Sequence, residues 1–389
     1  MDSDNYSIAG IWSSGYHNGV DGNPHHYLLL KGYKSIIITN EYYNLQGKLE
    51  NRLYSYKEIT QHSKSKNLIK KIYNKVKQPI YWKSYNAWCQ NILRKNNIEL
   101  VHAHFGYTAV RILPTIKKTK LPMVVTFYGV DGSQLVKERK WIRAYQEMFQ
   151  YANKCIVLCQ EVKERLITIG CPEEKILIWQ IPIELNHYPY ASRQFSGMTR
   201  FVIGARFVEK KGYDYLLKAF SKLIEAKVNT RLIIVGYGDS GYIKKQIEQL
   251  NLNEHVTLID TSGSTGFPEF FNQILKQNDV FVLPSIAALD GDDEGGPSLT
   301  LVAAQAAGLP VICTHFPGSE ITVFEGENGI YCESKNVDSL YEKMLLMSKN
   351  PEWWNRMGKS GSEYVHKLFL KEKQFPILED LYKSILAHK

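Results

Sequence analysis

One stretch, FVLPSIAALDGDDEGGPSLTLVAAQAAGLPVI at residues 281–312, indicates the fold more directly than any other part of the sequence. It continues an apolar strand, DVFVLPS (279–285), passes through an acidic, glycine-rich loop and enters a helix, SLTLVAAQAAG (298–308). A second apolar strand, LPVICT (309–314), follows directly. Strand, helix and strand in this order are typical of a parallel sheet covered by helices.

The same alternation extends in both directions from this stretch. Further strands are predicted at 7–12, 35–39, 99–105, 122–129, 154–159, 200–207, 231–238, 255–260 and 329–333, with helices between them. Residues 183–199 have no apolar period and are predicted to be a linker. We therefore expect an α/β protein of two Rossmann-like, doubly wound parallel-sheet domains facing a cleft. The domains are predicted at 1–190 and 196–369, with a C-terminal helix at 370–389 packing back on the first.

The composition excludes several classes of protein. Of 389 residues, 44% are hydrophobic and 22% are charged, which is ordinary for a globular chain and argues against disorder. No apolar run approaches the roughly 18 residues of a membrane span. The opening MDSDNYSIAG lacks the features of a secretory signal, so we expect a cytoplasmic protein. The six cysteines form no CxxC pair and are expected to be buried free thiols.

The positive charge is concentrated in one region of the first half. The formal net charge is +9, whereas residues 52–120 alone carry 15 Lys and Arg against 2 Asp and Glu, or +13. Such an excess predicts a polyanionic partner. LIKKIYNKVK (68–77) and the aromatic-rich IYWKSYNAWCQNIL (80–93) suit a helix lying on an anionic membrane. The alternative is that their apolar faces pack into the first domain and only the lysines are exposed.

Two loops at predicted strand ends carry groups that suit phosphates. They are GARFVEKKG (204–212), with Arg206 and Lys211, and VGYGD (235–239), with Gly236 and Gly238. Two cations beside a helix N-terminus can hold a diphosphate, and the glycines let the backbone approach a ligand closely. Solvated surface charges and simple turn formation are the alternatives.

The acidic loop is the most specific of the chemical motifs. Its backbone amides can cradle phosphate or sugar oxygens at the helix start, around Gly295, Gly296, Pro297 and Ser298. Glu294 can hydrogen-bond sugar hydroxyls. Asp290 and Asp292 have the spacing of a metal-binding DxD motif. We expect no metal, because Arg206 and Lys211 can neutralise a diphosphate without one.

These segments, with HAHFG (102–106), VVTFYGVD (124–131) and KCIVLCQEVKERLITIGCPEEKI (154–176), resemble the retaining GT-B glycosyltransferases of family 4. Within that family the sequence is most similar to bacterial polysaccharide and colanic-acid-type enzymes. The resemblance implies transfer of a sugar from a nucleotide donor, UDP-linked, to a lipid-linked saccharide, without metal or cofactor. It also implies that Arg206 and Lys211 hold the donor diphosphate and that Glu294 contacts the donor sugar, which makes all three catalytic candidates.

One departure from the family concerns its second acid, which grips the donor ribose. Counting strictly from Glu294 in the E-x7-E motif reaches Val302, whereas alignment on AQAAGLP places Ala303 at the position of the acid. We favour Ala303, because the helix is the better-defined feature. Neither residue is a carboxylate. The missing acid motivates an alternative function, a weakened or catalytically silent nucleotide-sugar-binding homologue.

A second departure lies in the first domain. Tyr128 stands where relatives carry the histidine of an FHGxD motif, and it is a further catalytic candidate, while Asp131 matches the family aspartate. Gly19 and Gly22 best match the glycine-rich loop that helps hold the donor phosphate. His104, like His102, ends a strand at the predicted cleft, where an acceptor contact and a structural role are both open.

The expected partners follow from the favoured function. They are a nucleotide sugar, a saccharide or lipid-linked acceptor, and an anionic membrane surface contacted through residues 52–120 at its cytoplasmic face. A nucleic-acid partner explains the charge but none of the C-terminal motifs, so none is expected.

Overall fold

The computed structural model describes residues 6–12, 16–17, 33–39, 42–43, 53–56, 68–262 and 266–387. The chain divides into two compact units. The first contains residues 1–157, 163–178 and 375–389, and the second contains residues 158–162 and 179–374. Each unit is built around its own parallel sheet, as the alternation of strands and helices predicts.

The first unit holds a seven-stranded sheet and a separate two-stranded pair. Its strands are β1 (Ser7–Trp12), β2 (Tyr16–His17), β3 (Lys34–Thr39), β4 (Tyr42–Tyr43), β5 (Leu53–Ser55), β6 (Leu100–His104), β7 (Met123–Thr126), β8 (Ala152–Val157) and β9 (Ile176–Ile178). The large sheet has the order β5-β3-β1-β6-β7-β8-β9, and β2 pairs with β4. β6 and β7 are buried along their whole length, as expected for parallel strands covered on both faces.

The described helices of the first unit connect these strands in sequence. They are α1 (Leu68–Lys95), α2 (Gly106–Thr119), α3 (Val130–Ser133), α4 (Arg139–Tyr151) and α5 (Gln160–Thr168), whose first residues belong to the second unit. The order of the sheet reverses between β1 and β6, where the predicted opening strand pairs with β6 in register.

The second unit has a six-stranded sheet of order β12-β11-β10-β13-β14-β15. Its strands are β10 (Thr199–Gly204), β11 (Thr230–Gly236), β12 (Val256–Asp260), β13 (Val280–Leu283), β14 (Val311–Thr314) and β15 (Gly329–Cys332). Its helices are α6 (Tyr213–Glu225), α7 (Gly241–Gln249), α8 (Phe267–Lys276), α9 (Leu299–Ala306), α10 (Val337–Lys349) and α11 (Glu352–Leu368). A final helix, α12 (Lys371–Ala387), joins the first unit from Phe375 onward.

The segment predicted to be a linker is instead anchored in the second unit, so the boundary falls after Ile178 rather than near 190–196. Arg193 is 6% exposed, and its guanidinium donates to the carbonyls of Ala307 at 2.6 Å and Lys276 at 3.3 Å. Both carbonyls lie at the C-terminal ends of helices, where they lack intrahelical partners and favour a cation. By capping these two helices, Arg193 anchors residues 183–199 to the second unit. No local sequence pattern predicts this contact.

Among the aromatic side chains of residues 80–93, Tyr85 supports the alternative that they pack into the first unit. Tyr85 is fully buried, and it packs with Tyr56, Tyr81 and Trp88 in an aromatic cluster of the first unit. Trp82 lies beneath the guanidinium of Arg111 at 4.8 Å. These rings gain more from burial and edge-to-face contacts within the unit than at a surface. Among the described residues no helix is both long enough and apolar enough to span a membrane.

The cysteine prediction is confirmed: all six thiols are free and buried.

Candidate functional site

The loops after β10 and β13 lie where the strand order of the second sheet reverses. Ligands of open parallel sheets bind at this position, beyond the carboxyl ends of the strands. Arg206 follows β10 by two residues and is exposed, with no salt bridge to any described residue. A 3₁₀ turn, Glu209–Lys211, then leads into α6. The acidic loop follows β13 and leads into α9.

Lys211 and Glu294, both predicted from the sequence, form a buried ion pair in the second unit. Lys211 Nζ lies 2.6 Å from Glu294 Oε1, and the side chains are 9% exposed each. Ser285 Oγ donates to the same oxygen at 2.8 Å. The hydrogen bonds found among the described residues all use Oε1, which leaves Oε2 for a ligand hydroxyl.

The charges in this cluster keep the glutamate ionised. Burial raises the pKa of Glu294, but the positive charges of Lys211 and Lys210 outweigh that effect and hold the pKa below its usual value of 4.5. For Lys211, burial is the main influence and lowers its pKa, against the attraction of Glu294. At neutral pH the glutamate is therefore an acceptor for hydroxyl groups and not a proton donor.

Lys210 is a functional neighbour that the sequence analysis missed. Its side chain is 4% exposed, with Nζ 3.1 Å from Asp292 Oδ1 and 2.7 Å from the carbonyl oxygen of Asp293. The lysine thereby anchors the acidic loop, and Asp292 of the DxD spacing is its partner. The adjacent pair of lysines in EKKG was the available signal.

The glycines of the acidic loop allow close packing beneath it. Gly296 has φ +157°, and a Cβ there would lie 2.3 Å from Leu158 Cβ. Gly295 accepts a weak hydrogen bond from Cys159 Sγ at 3.8 Å. Pro297 and Ser298 are half-buried, and Ser298 occupies the predicted N-cap position of α9. Its hydroxyl pairs with Thr300 Oγ1 at 3.1 Å and caps no amide, so the first-turn amides of α9 lack a side-chain cap.

Gly236 and Gly238 lie at the end of β11, beside the loop that carries Arg206. The carbonyl of Gly236 accepts from the amide and hydroxyl of Thr261 at 2.7 and 2.9 Å. Phe207 donates its amide to the carbonyl of Tyr237 at 2.8 Å, which ties the two loops together. Tyr237 itself is 52% exposed.

Ala303 lies on α9 and is 2% exposed, within the apolar core of the second unit. Val302, the residue reached by the strict count, is fully buried. Neither position presents a polar side chain, so any contact with a ligand ribose must come from other groups or from the backbone.

In the first unit, the predicted residues His104 and Tyr128 are hydrogen-bonded to each other. His104 Nδ1 lies 2.5 Å from the Tyr128 hydroxyl, at the carboxyl ends of β6 and β7. Burial raises the pKa of Tyr128 well above its usual value, so its hydroxyl stays protonated. His102 stacks on His104 with centroids 4.2 Å apart and bonds to Tyr382 and Thr126 at 2.6 and 2.7 Å. Both ring nitrogens of His102 therefore bond to side chains of the first unit, which favours a structural role over an acceptor contact.

Asp131 holds the loops of the first unit together. It is fully buried, and its carboxylate accepts from the amides of Gly106 at 2.8 Å, Gly129 at 3.0 Å and Tyr128 at 3.1 Å. These bonds set the position of Tyr128. Gly19 and Gly22 lie outside the described residues.

Gly212 gives a direct test of how this site is built. It has φ +71°, and a Cβ there would lie 1.9 Å from the carbonyl oxygen of Pro284. We expect Gly212→Ala to lower the unfolding stability by about 3 kcal/mol or more, since both strain and overpacking apply. Gly326→Ala is the matched control, because Gly326 has φ +76° but nothing within 4 Å of a Cβ. Equal losses in urea unfolding would contradict the close approach to Pro284.

Comparison with known proteins agrees with this architecture. The family description "Glycosyltransferase Family 4" matches residues 26–187, and "Glycosyl transferases group 1" matches residues 193–364. Together they span most of the chain, which therefore belongs to the family 4 glycosyltransferases of the GT-B fold. The predicted fold class and family are confirmed.

Several relatives are named for polysaccharide biosynthesis. The chain is 28% identical over 68% of its length to a protein named as a colanic acid biosynthesis glycosyltransferase, WcaL, of Salmonella typhimurium, and covers 65% of that relative. It is 25% identical over 77% of its length to a UDP-Gal:alpha-D-GlcNAc-diphosphoundecaprenol alpha-1,3-galactosyltransferase of Escherichia coli, covering 78% of it. The fold is that of Anabaena HepE solved with UDP and glucose, with TM-score 0.70, 14% identity and coverage of 99% and 100%.

Proposed function

We propose that this glycosyltransferase moves a sugar from a UDP-sugar to a lipid-linked saccharide with retention of the anomeric configuration. The observation that carries the proposal is the cluster of Arg206, Lys211 and Glu294 at the switch point of the second sheet. The Escherichia coli relative, which uses UDP-galactose and a diphosphoundecaprenol acceptor, and the UDP bound by HepE support the choice of substrates.

In this mechanism the departing diphosphate is the group that needs most stabilisation. Arg206 and Lys211 face it with positive charge, and the uncapped amides at the start of α9 donate hydrogen bonds to it. Glu294 Oε2 accepts from a hydroxyl of the donor sugar and fixes its orientation. The leaving phosphate takes the acceptor proton on the same face, so no side-chain base and no metal are required.

The acceptor is assigned to the first unit, with Tyr128 and His104 at its strand ends. The tyrosine cannot relay a proton near neutral pH, because its pKa is raised by burial. It can donate a hydrogen bond to a sugar oxygen while His104 holds its ring. The basic residues described as exposed in region 52–120 suit a peripheral position at the cytoplasmic face of the membrane; they are Lys83, Arg94, Lys95, Lys117, Lys118 and Lys120.

The silent-homologue alternative is not favoured, because Arg206, Lys211 and Glu294 are all present in the second unit. The first test is a panel of UDP-, GDP- and ADP-sugars, measuring donor hydrolysis and transfer to lipid-linked saccharides. We expect UDP-sugar turnover and an α-linked product by NMR from an α-linked donor. A β-linked product, or binding without turnover on every acceptor, would overturn the proposal.

The variant Ala303→Glu tests where the donor ribose lies. Restoring the acid is expected to tighten UDP binding by about tenfold or more, since a charge-assisted hydrogen bond contributes about 1.5–3 kcal/mol. The same variant is expected to melt at lower temperature without UDP, because the new carboxylate is buried. Val302→Glu, at the other candidate position, is expected to lose stability without tighter binding, as measured by calorimetry. Equal UDP affinity for Ala303→Glu and the unaltered chain would show that other groups hold the ribose.

A further inference from the structure

A cavity of about 420 Å³ lies in the first unit, at the ends of α1 and α2. Its volume is typical of a pocket for a small molecule. Its polar lining consists of Gln90, Arg94, Asn97, Lys118 and Thr119, and aliphatic side chains complete the wall.

The cavity lies far from the strand ends that carry the candidate transfer site. α1 ends at Lys95 just before β6 begins, and α2 ends at Thr119 just before β7 begins. The cavity is therefore at the amino ends of these strands, whereas His104 ends β6 at its carboxyl end. A five-residue strand separates the two positions by about 15 Å.

The lining of the cavity includes an uncharged polar side chain, Gln90 on α1. Gln90 is 7% exposed as a whole residue and faces the cavity as one of its lining residues. Its amide can both donate to and accept from a ligand bound in the cavity.

Two basic residues that line the cavity, Arg94 and Lys118, form no salt bridge with any described residue. Arg94 and Lys118 are exposed, whereas the neighbouring Lys117 is already paired with Glu147 at 2.5 Å. Basic residues often occupy helix C-termini to bind the last carbonyls.

At the C-termini of α1 and α2, backbone amides already donate to several of the last carbonyls. The amides of Asn97 and Ile98 donate to Arg94 and Leu93 at 3.0 Å, and that of Lys120 donates to Ile116 at 2.8 Å. The charges of Arg94 and Lys118 therefore remain available to an anion.

We propose that this cavity binds a phosphate-bearing ligand, with the phosphate on Arg94 and Lys118 and an adjoining polar group on Gln90. A guanidinium presents paired donors to phosphate oxygens, and an ammonium adds a point charge. A membrane headgroup and a free phosphate ester share this chemistry. The site is separate from the donor site, and its occupancy does not depend on sugar transfer.

The test measures two probes on the full chain: glycerol 3-phosphate by calorimetry, and vesicles containing phosphatidylglycerol by flotation. Arg94→Ala/Lys118→Ala is expected to weaken binding of at least one probe by about tenfold or more, because two charged contacts are lost. Gln90→Leu is expected to weaken the same probe by about fivefold. Arg139→Ala/Arg143→Ala removes the same charge from exposed positions on α4 and is expected to leave the affinity unchanged.

The affinities of the variants for the two probes distinguish a free ester from a membrane headgroup. Saturable binding of glycerol 3-phosphate supports a free ester as ligand, and a specific loss on vesicles alone supports a headgroup. The proposal is overturned if neither probe binds or if both double variants lose affinity equally. Arg206→Ala is expected to retain binding here, so a failure at the donor site and a failure at this cavity give different results.

Discussion

Replacing Lys211 by methionine is expected to destabilise the second unit by about 3–5 kcal/mol and to abolish measurable transfer. The substitution leaves the carboxylate of Glu294 buried without its partner, and breaking a buried pair on one side has a cost of this size. Urea unfolding and donor turnover measure the two effects. Lys222→Met, which removes an exposed ion pair with Asp338 in the same unit, is the control and should change stability little.

The stability loss in Lys211→Met should depend on pH in a defined direction. In the unaltered protein the pKa of Glu294 is lowered, so its stabilising contribution is present above about pH 4.5 and falls as pH drops through the lower folded value. In the variant the charge of Lys211 is missing, so burial raises the pKa of Glu294 against only Lys210 and Ser285, and protonation relieves the cost of the buried charge. The difference between the two proteins should therefore shrink as pH falls toward 4.5.

A second variant separates stability from chemistry. Lys211→Met/Glu294→Gln removes both charges, so we expect it to recover much of the lost stability while remaining inactive. A double variant as unstable as Lys211→Met would show that the ion pair is not the cause of the destabilisation.

Replacing Arg206 by alanine is expected to lower transfer by about 100- to 1,000-fold while leaving the unfolding midpoint unchanged. The guanidinium is exposed and unpaired among the described residues, so its removal costs the fold little. It is expected to cost the reaction much more, since a positioned donor at developing negative charge typically contributes a factor of this size. The measurement is kcat/KM with the preferred UDP-sugar, beside thermal unfolding.

Arg231→Ala is the matched control, because Arg231 is also an exposed arginine of the second unit but lies at the amino end of β11, opposite the carboxyl strand ends. It should retain full activity. An equal loss in both variants would indicate a general effect of charge on the donor, and a loss of stability in Arg206→Ala would show a structural role.

The contrast between these two cations shows what local sequence patterns can and cannot convey. Arg206 and Lys211 were both predicted, because charged and glycine-rich loops after apolar strands are recognisable within ten residues. Only the structure shows that one is buried and paired and the other exposed. The pairing joins residues 83 positions apart, and no local period contains such information.

The sequence by itself determined the alternation of strands and helices, the Rossmann-like form of each half and the loops that carry Arg206, Lys211 and Glu294. These features depend on the spacing of apolar residues and on glycines near strand ends, which are local properties. The tertiary structure alone decided that Lys210 anchors the acidic loop, that Arg193 caps two helices and that Tyr85 is buried. Each of these depends on contacts between distant segments, where burial and hydrogen-bond geometry choose among side chains that look alike in sequence.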